Sequence, residues 1–352
     1  MFVARRIVSV TLFPTLSVIL VSYHSRHDLE QCLPSLTCSS PMEVIIVDND
    51  PQDGTSQWLS AAYPDIHVIA SSNSGYGAAC NLGMKHARGQ FWCVLNPDTL
   101  LYPGALDTLL ETSIAHPDAL ITPALLQPSG IVNAYGNTMH ITGITTCDHF
   151  GDAWTDSPRF YSPLLASGAA IMAPRKVWEQ LGGFDPSYFL YMEDADLSLR
   201  ARLQGLTVIC DTHARIMHDY TLNLTAEKFY WLERNRWRTL LTTYSTRTLI
   251  TLTIPLIATE IATWVYALLK GPQYVSAHLR VYLWLFRHHA VWRVKRAVVQ
   301  RSRTISDATL LTEMETAYPL NQLISARWLA HHLSRWSARF FGWFGGKKVA
   351  LR

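Results

Sequence analysis

The 352-residue sequence has no Cys-x-x-Cys pair, no internal repeat and no low-complexity tract. Its six cysteines, at 32, 38, 80, 93, 147 and 210, are scattered, and none sits at zinc-finger spacing from a histidine. That pattern argues against a disulfide framework or a structural zinc site and fits a reducing compartment. A net excess of charge is also missing: 30 Lys and Arg against 27 Asp and Glu leave +3, too little for binding nucleic acid through bulk charge. Long uninterrupted apolar runs are absent as well. Arg5 and Arg6 precede a run from Ile7 to Val21 that imitates a signal peptide, but Pro14 interrupts it, no small-residue cleavage site follows, and its end reads as a strand. Residues 249–269 form a mostly apolar stretch at the lower length limit of a membrane span, yet they contain Pro255 and a central Glu260. A mid-span carboxylate costs roughly 2.5–3.5 kcal/mol on insertion scales.

What is present is unevenly distributed. Residues 1–220 carry 11 basic and 21 acidic side chains, and residues 221–352 carry 19 basic and 6 acidic; eight of the 12 tryptophans lie in the second part. The chain therefore divides into a short extension (1–15), an acidic part (16–220, with halves at about 16–100 and 101–220) and a basic, Trp-rich helical part (221–352). In the last part, residues 280–303 interleave Tyr282, Trp284, Phe286 and Trp292 with Arg and Lys, which suits helices lying on an anionic membrane. Interfacial attachment is the preferred expectation, with one marginal transmembrane helix at about 249–269 as the alternative.

The acidic part alternates short apolar strands (17–22, 43–47, 67–70, 91–95) with helical segments joined by short linkers, which predicts an α/β fold with a mostly parallel sheet. Ligands in such sheets collect beyond the carboxyl ends of the strands, where the polar clusters of this sequence fall. Residues 121–165 read as irregular hairpins, 167–173 as a strand, 194–204 as a helix and 207–210 as the last strand.

Each cluster admits a structural and a chemical reading. Asp98, in Asn96-Pro97-Asp98 just past a buried strand, is either a turn residue or a ligand for a divalent ion on a diphosphate. Asp48 and Asn49 end another strand, where they form an Asx turn or accept from a nucleobase or ribose. Asn73, Gly75 and Asn81 begin a helix, as a glycine turn or a phosphate-receiving terminus. Glu193, Asp194 and Asp196 crowd one helix start; the macrodipole explains one carboxylate there, and partial burial would make another a general base. His218 is a structural histidine or a metal ligand.

In this order and spacing, Val21-Ser22-Tyr23, Val47-Asp48-Asn49, Asn73-x-Gly75 to Asn81, Leu95-Asn96-Pro97-Asp98, Ser167-Gly168-Ala169, Gly183-Phe184-Asp185 and Glu193-Asp194-x-Asp196-Leu197 closely resemble family 2 inverting glycosyltransferases of the GT-A fold, particularly the rhamnosyltransferase-like branch. The resemblance spans roughly residues 16–245. It implies a Rossmann-like sheet with helices on both faces, a nucleotide-diphosphate sugar donor, and Mg²⁺ or Mn²⁺. It further implies that Ser22, Tyr23, Asp48, Asn49, Asn73, Gly75, Asn81, Asn96 and Asp98 face the nucleotide, that Gly168 leaves room beside the donor sugar, and that Asp98 and His218 hold the metal. Asn96 stands where the family's Asp-x-Asp motif has its first acid. Asp194 is the expected base, with Glu193 and Asp196 as alternatives. The implied acceptor is a glycan or polyprenyl-linked glycan of cell-surface polysaccharide synthesis on the cytoplasmic side of the membrane. Nucleic acid is not an expected partner. dTDP-rhamnose is one donor suggested by the branch, beside UDP- and GDP-sugars. Two competing readings are a membrane-surface interaction protein with an inactive transferase domain and a sugar nucleotidyltransferase; the lack of glycine in 22–28 counts against the latter.

Overall fold

The computed structural model describes residues 14–155, 158–219, 223–318 and 327–345; most of the expected N-terminal extension lies outside them. The elements run β1 (Leu16–Ser22), α1 (Arg26–Cys32), β2 (Met42–Asp48), α2 (Thr55–Ala62), β3 (His67–Ala70), α3 (Tyr76–His86), β4 (Phe91–Leu95), β5 (Thr99–Leu101), α4 (Ala105–Ala115) and β6 (Ala119–Leu126). Four short strands follow, β7 (Val132–Ala134), β8 (Asn137–Met139), β9 (Thr145–Cys147) and β10 (Phe160–Tyr161). Then come β11 (Ala170–Pro174), α5 (Arg175–Leu181), α6 (Glu193–Leu203) and β12 (Thr207–His218). The helical region comprises α7 (Ala226–Thr243), α8 (Thr246–Thr251), α9 (Thr253–Lys270), α10 (Pro272–Arg287), α11 (His289–Ser302), α12 (Asp307–Glu313) and α13 (Arg327–Gly342).

The main sheet has the order β10-β12-β6-β11-β4-β1-β2-β3. β1 lies parallel between β2 and β4, and all seven of its residues are buried. That is why it reads as a continuous apolar run rather than an alternating one. Alternate β1 residues feed two cores: Leu16, Val18 and Leu20 pack with Leu29 and Leu106 on one face, and Ile19 and Val21 with Trp178 and Leu197 on the other. β11 enters antiparallel between β4 and β6, so the parallel sheet is divided.

Two features depart from the sequence reading. Residues 105–120, assigned no element there, and 121–126, read as the start of irregular hairpins, form α4 and the fully buried β6. β12 runs on to His218 instead of stopping at Cys210. Its pairing with β6 breaks register between Asp211 and Arg215, a bulge that re-aims the strand. Buried Asp211 pins the bulge by accepting from Thr112 Oγ1 (2.6 Å), Arg159 Nη2 (2.9 Å) and the His213 amide (3.0 Å). The continued strand then pairs His218 with Thr99 of β5, four residues past the end of β4.

The helical region differs from a simple basic surface. Arg234, Arg236 and Arg238 of α7 are at most 3% exposed, so their charge faces protein. Arg236 Nη2 bridges Glu233 (2.7 Å) and Glu260 (2.9 Å), and Glu260 also meets His278 Nε2 (2.8 Å), Trp237 Nε1 (2.8 Å) and the Tyr282 hydroxyl. The apolar stretch at 249–269 is broken at Leu252 between α8 and α9. Among the described residues no helix is long and apolar enough to cross a membrane. The spanning alternative is thereby corrected: Glu260 turns inward to an ion network instead of sitting in a span.

Burial alone would raise the Glu260 carboxyl, but hydrogen bonding from His278 and the Arg236 charge hold it at about 2. Its stabilising contribution is complete above its ordinary value of 4.5 and is lost as the pH falls towards 2. Glu260→Gln is expected to lower unfolding stability at pH 7 by about 3–5 kcal/mol, the cost of breaking a buried pair. The gap should narrow at pH 3, both values read from urea denaturation.

Candidate active site

At the carboxyl ends of β1, β2 and β4 lies a cleft of about 290 Å³ lined by Val21, Tyr23, Ser25, Asp28, Asn49, Asn73, Gly75, Tyr76, Asn96, Pro97, Asp98, Phe189 and Leu190. Six residues expected from the sequence therefore face one cavity: Tyr23, Asn49, Asn73, Gly75, Asn96 and Asp98. Tyr23 is half exposed at its mouth. Asn49 is buried, and its Oδ1 has no hydrogen-bond partner among the described residues. Asn73 Oδ1 accepts from the Gly75 amide (3.1 Å) and shapes the turn into α3. Gly75 has φ +97°, and a Cβ there would run into the Phe189 backbone, so the turn demands glycine.

Other expected residues lie elsewhere. Asp48 is fully buried and does not line the cleft. Its Oδ2 accepts from the amide (3.1 Å) and hydroxyl of Ser56, and its Oδ1 from the Asp50 amide (3.2 Å). The turn-and-cap reading thus replaces a base or ribose contact. Asn81 likewise braces backbone: Nδ2 donates to Phe184 O (2.8 Å) and Oδ1 accepts from Phe184 N (2.9 Å). Ser22 is buried beside Asn49, whose amide donates to Ser22 O (2.8 Å). Asp196 is buried against Arg200 Nε (2.7 Å) and Tyr188 (3.3 Å), a packing role and not a catalytic one.

The metal candidates converge. His218 Nε2, at the end of β12, stands 3.4 Å from Asp98 Oδ1. That oxygen is buried and accepts no hydrogen bond among the described residues. Asp28, which the sequence reading missed, lines the same cleft; burial and the neighbouring Asp98 charge raise its pKa. Its signal was weak, one acid in the first turn of the helix after β1. A carboxylate with an imidazole beside a second carboxylate suits a divalent cation that also takes phosphate oxygens.

The paired acids at the start of α6 have different surroundings. Asp194 is partly exposed; its Oδ2 accepts from the Gly168 amide (2.8 Å) and its Oδ1 from the Ala195 amide (2.8 Å). A Cβ on Gly168 would crowd Asp194 Oδ2 at 3.1 Å, so Gly168 makes room for this carboxylate. Tyr76, also missed although it directly follows Gly75, donates its hydroxyl to Gly168 O (3.0 Å). Glu193 is buried, and its Oε2 has no hydrogen-bond partner among the described residues. Burial, then the adjacent Asp194 charge, pushes Glu193 up to about 8. Burial also raises Asp194, against the pull of the two amides. Of the pair, Glu193 holds the proton at neutral pH and Asp194 is the carboxylate able to receive one.

Residues 17–179 match the family model described as Glycosyl transferase family 2. The chain is 31% identical over 232 residues to the N-acetylglucosaminyl-diphospho-decaprenol L-rhamnosyltransferase of Mycobacterium tuberculosis, covering 58% of this chain and 75% of that protein. It is 27% identical to the low-salt glycan biosynthesis hexosyltransferase Agl10 of Haloferax volcanii, over 56% of this chain and 65% of the relative. Among solved structures, that of GalNAc-T7 with UDP, GalNAc and Mn²⁺ superposes with a TM-score of 0.55 at 14% identity, covering 67% of this chain and 49% of that one. The mannosyltransferase PcManGT of Pyrobaculum calidifontis, with GDP-Man and Mn²⁺, gives 0.50 at 16% identity, covering 83% and 86%. The fold is accordingly of the GT-A type.

Because the folded state keeps Glu193 protonated, its contribution to stability is complete below 4.5 and is lost as the pH rises towards 8. Glu193→Gln is expected to match the wild type in thermal midpoint at pH 4 and exceed it increasingly up to pH 9; equal midpoints at pH 9 would contradict a buried, protonated Glu193.

Proposed function

The chain belongs to glycosyl transferase family 2 and is a glycosyltransferase, and we propose that it moves a sugar, with inversion, from a nucleotide-diphosphate donor to a lipid-linked glycan in a metal-dependent reaction. The observation that carries this reading is the placement of Asp194. It is partly exposed and oriented by two amides, and Gly168 and Tyr76 link it to the cleft containing Asp98.

The donor nucleotide and diphosphate occupy the cleft between Tyr23, Asn49, Asn73 and the turn at Gly75. Asp98 and His218, with Asp28 close by, hold Mg²⁺ or Mn²⁺, which when bound supplies a Lewis acid for the departing diphosphate. Asp194 takes the proton from the acceptor hydroxyl as that oxygen bonds to the anomeric carbon. The bond from that carbon to the diphosphate oxygen breaks, and its electron pair leaves with the nucleoside diphosphate. Neutral Glu193 leaves Asp194 as the single charge of the pair.

The relatives' names support rhamnose as the sugar and a polyprenyl-diphosphate-linked amino sugar as the acceptor. A membrane-surface location on the cytoplasmic side suits such an acceptor. Four helices present apolar stripes to solvent at helical spacing: Ile250, Ile254, Ile257, Ile261, Val265 and Leu268 on α8 and α9; Leu279, Leu283 and Phe286 on α10; and Val291, Val294 and Val298 on α11. Between 246 and 303 the chain has nine Lys and Arg, and its one acid, Glu260, is engaged inside. Apolar stripes with exposed Arg247, Lys270, Arg287, Arg293 and Arg301 complement an anionic bilayer.

Screening dTDP-, UDP- and GDP-sugars for turnover identifies the donor. Asp194→Asn is expected to lower transfer by about 10²–10⁴-fold, the usual worth of a general base, without weakening nucleoside diphosphate binding. Asp98→Ala should instead weaken Mn²⁺-dependent binding, measured by calorimetry; intact binding would remove Asp98 from the metal site. Vesicles containing phosphatidylglycerol should sediment the wild-type protein but not an Ile254→Ser/Ile257→Ser/Ile261→Ser variant, and high salt should weaken the wild-type association.

A further inference from the structure

Between Gly183 and Glu193 the backbone is forced into an uncommon path. Phe189, Tyr191 and Met192 all have left-handed φ, at 65°, 66° and 66°, a region that bulky side chains disfavour. Met192 is also the residue from which α6 starts, so this path sets the direction in which Asp194 is presented.

The segment is clamped from two sides. On the donor side, the Tyr76 amide donates to Phe189 O (2.8 Å), and the Phe189 backbone fills the space left by Gly75. On the opposite side stands α7, beyond the residues that match the family model. Asn235 Nδ2 lies within 3.1, 2.9 and 2.7 Å of the carbonyls of Tyr188, Leu190 and Tyr191, so that one amide group gathers three acceptors of the strained turn. Arg234 Nη2 donates to Ser187 O (2.8 Å) and Tyr188 O (2.5 Å), and also to Asn235 Oδ1 (2.7 Å), which fixes the orientation of the amide. Asp185, at the beginning of the segment, is held by Arg238 Nη2 at 2.7 Å. Asn235 is fully buried, and Arg234 and Arg238 nearly so.

We infer that Asn235, oriented by Arg234, is a positioning residue for the general base, and that α7 belongs to the catalytic unit. This rests on the reading of Asp194 as the base. Removing the Asn235 amide takes one donor from each of three carbonyls, of which that of Tyr188 keeps Arg234, lets the left-handed turn relax, and shifts the start of α6 together with Asp194. The nucleotide contacts from Tyr23, Asn49 and Asp98 come from β1, β2 and β4, which α7 does not hold in this way.

The test uses the full chain and the nucleotide sugar that the wild type turns over. Asn235→Ala is expected to reduce kcat by roughly 10²-fold, the loss that about 1 Å of misplacement brings, with Mn²⁺-dependent nucleoside diphosphate affinity falling far less, since of the cleft lining only Phe189 and Leu190 belong to this segment. Arg234→Lys keeps the cation but loses the planar fork. It should show a smaller kcat loss of the same kind, and it decides the question if Asn235→Ala does not fold. Unchanged kcat in the folded variants, or nucleotide affinity falling in parallel with kcat, overturns the inference. An active Asp194→Asn would instead overturn the base assignment on which it rests.

Discussion

Two neighbouring carboxyl groups at the start of α6 share too little water for both to be charged. This desolvation constraint orders the rest of the site. Glu193 has no hydrogen-bond partner for its buried Oε2 among the described residues, whereas Asp194 accepts two amides at 2.8 Å. The negative charge therefore stays on the group that reaches solvent. Gly168 donates one of those amides and has no side chain to crowd the carboxylate, and Tyr76 keeps Gly168 in place. The turn at Gly75, the approach to β11 and Asp194 are thus connected by two short contacts, Tyr76 to Gly168 and Gly168 to Asp194.

The basic charge of the helical region has two separate uses. Arg234, Arg236 and Arg238 are consumed internally, by backbone carbonyls, by Glu233 with Glu260, and by Asp185. Arg247, Lys270, Arg287, Arg293 and Arg301, on α8 to α11, instead stay exposed. A buried guanidinium that satisfies several acceptors is retained because its removal would strand them all. The same count of arginines would have produced a different molecule had they faced water.

The central strands were legible in the sequence because a parallel sheet covered on both faces needs unbroken apolar runs, which β1, β2 and β4 have. The positions of Asn49, Asn73, Gly75, Asn96 and Asp98 followed from the rule that loops at strand ends meet ligands. Asp48 and Asn81 show its limit: a polar side chain at a strand end or in the second turn of a helix can bond to ligand or to backbone, and here the neighbours, Ser56 and Phe184, take it. The extension of β12 was hidden by its bulge, which interrupts the pattern at Asp211. The inward turn of the α7 arginines was hidden because a buried arginine and an exposed one are spelled alike.

The antiparallel insertion of β11 has a consequence of its own. Ala170 pairs with Leu95, and the Asn96 amide donates to Ala169 O at 2.9 Å. The strand end that leads to Asp98 and the turn that holds Asp194 through Gly168 are therefore adjacent rungs of one ladder. The spacing between the turn of Asp98 and that of Gly168 is thus set by a strand register, not a loop length. Insertions in the surface loops can be accommodated without moving that spacing. A slip of one residue between β4 and β11 would reverse the facing of every side chain on the slipped strand and separate the two turns altogether. The register and the surface loops lie in different parts of the chain, and the second can vary while the first stands still.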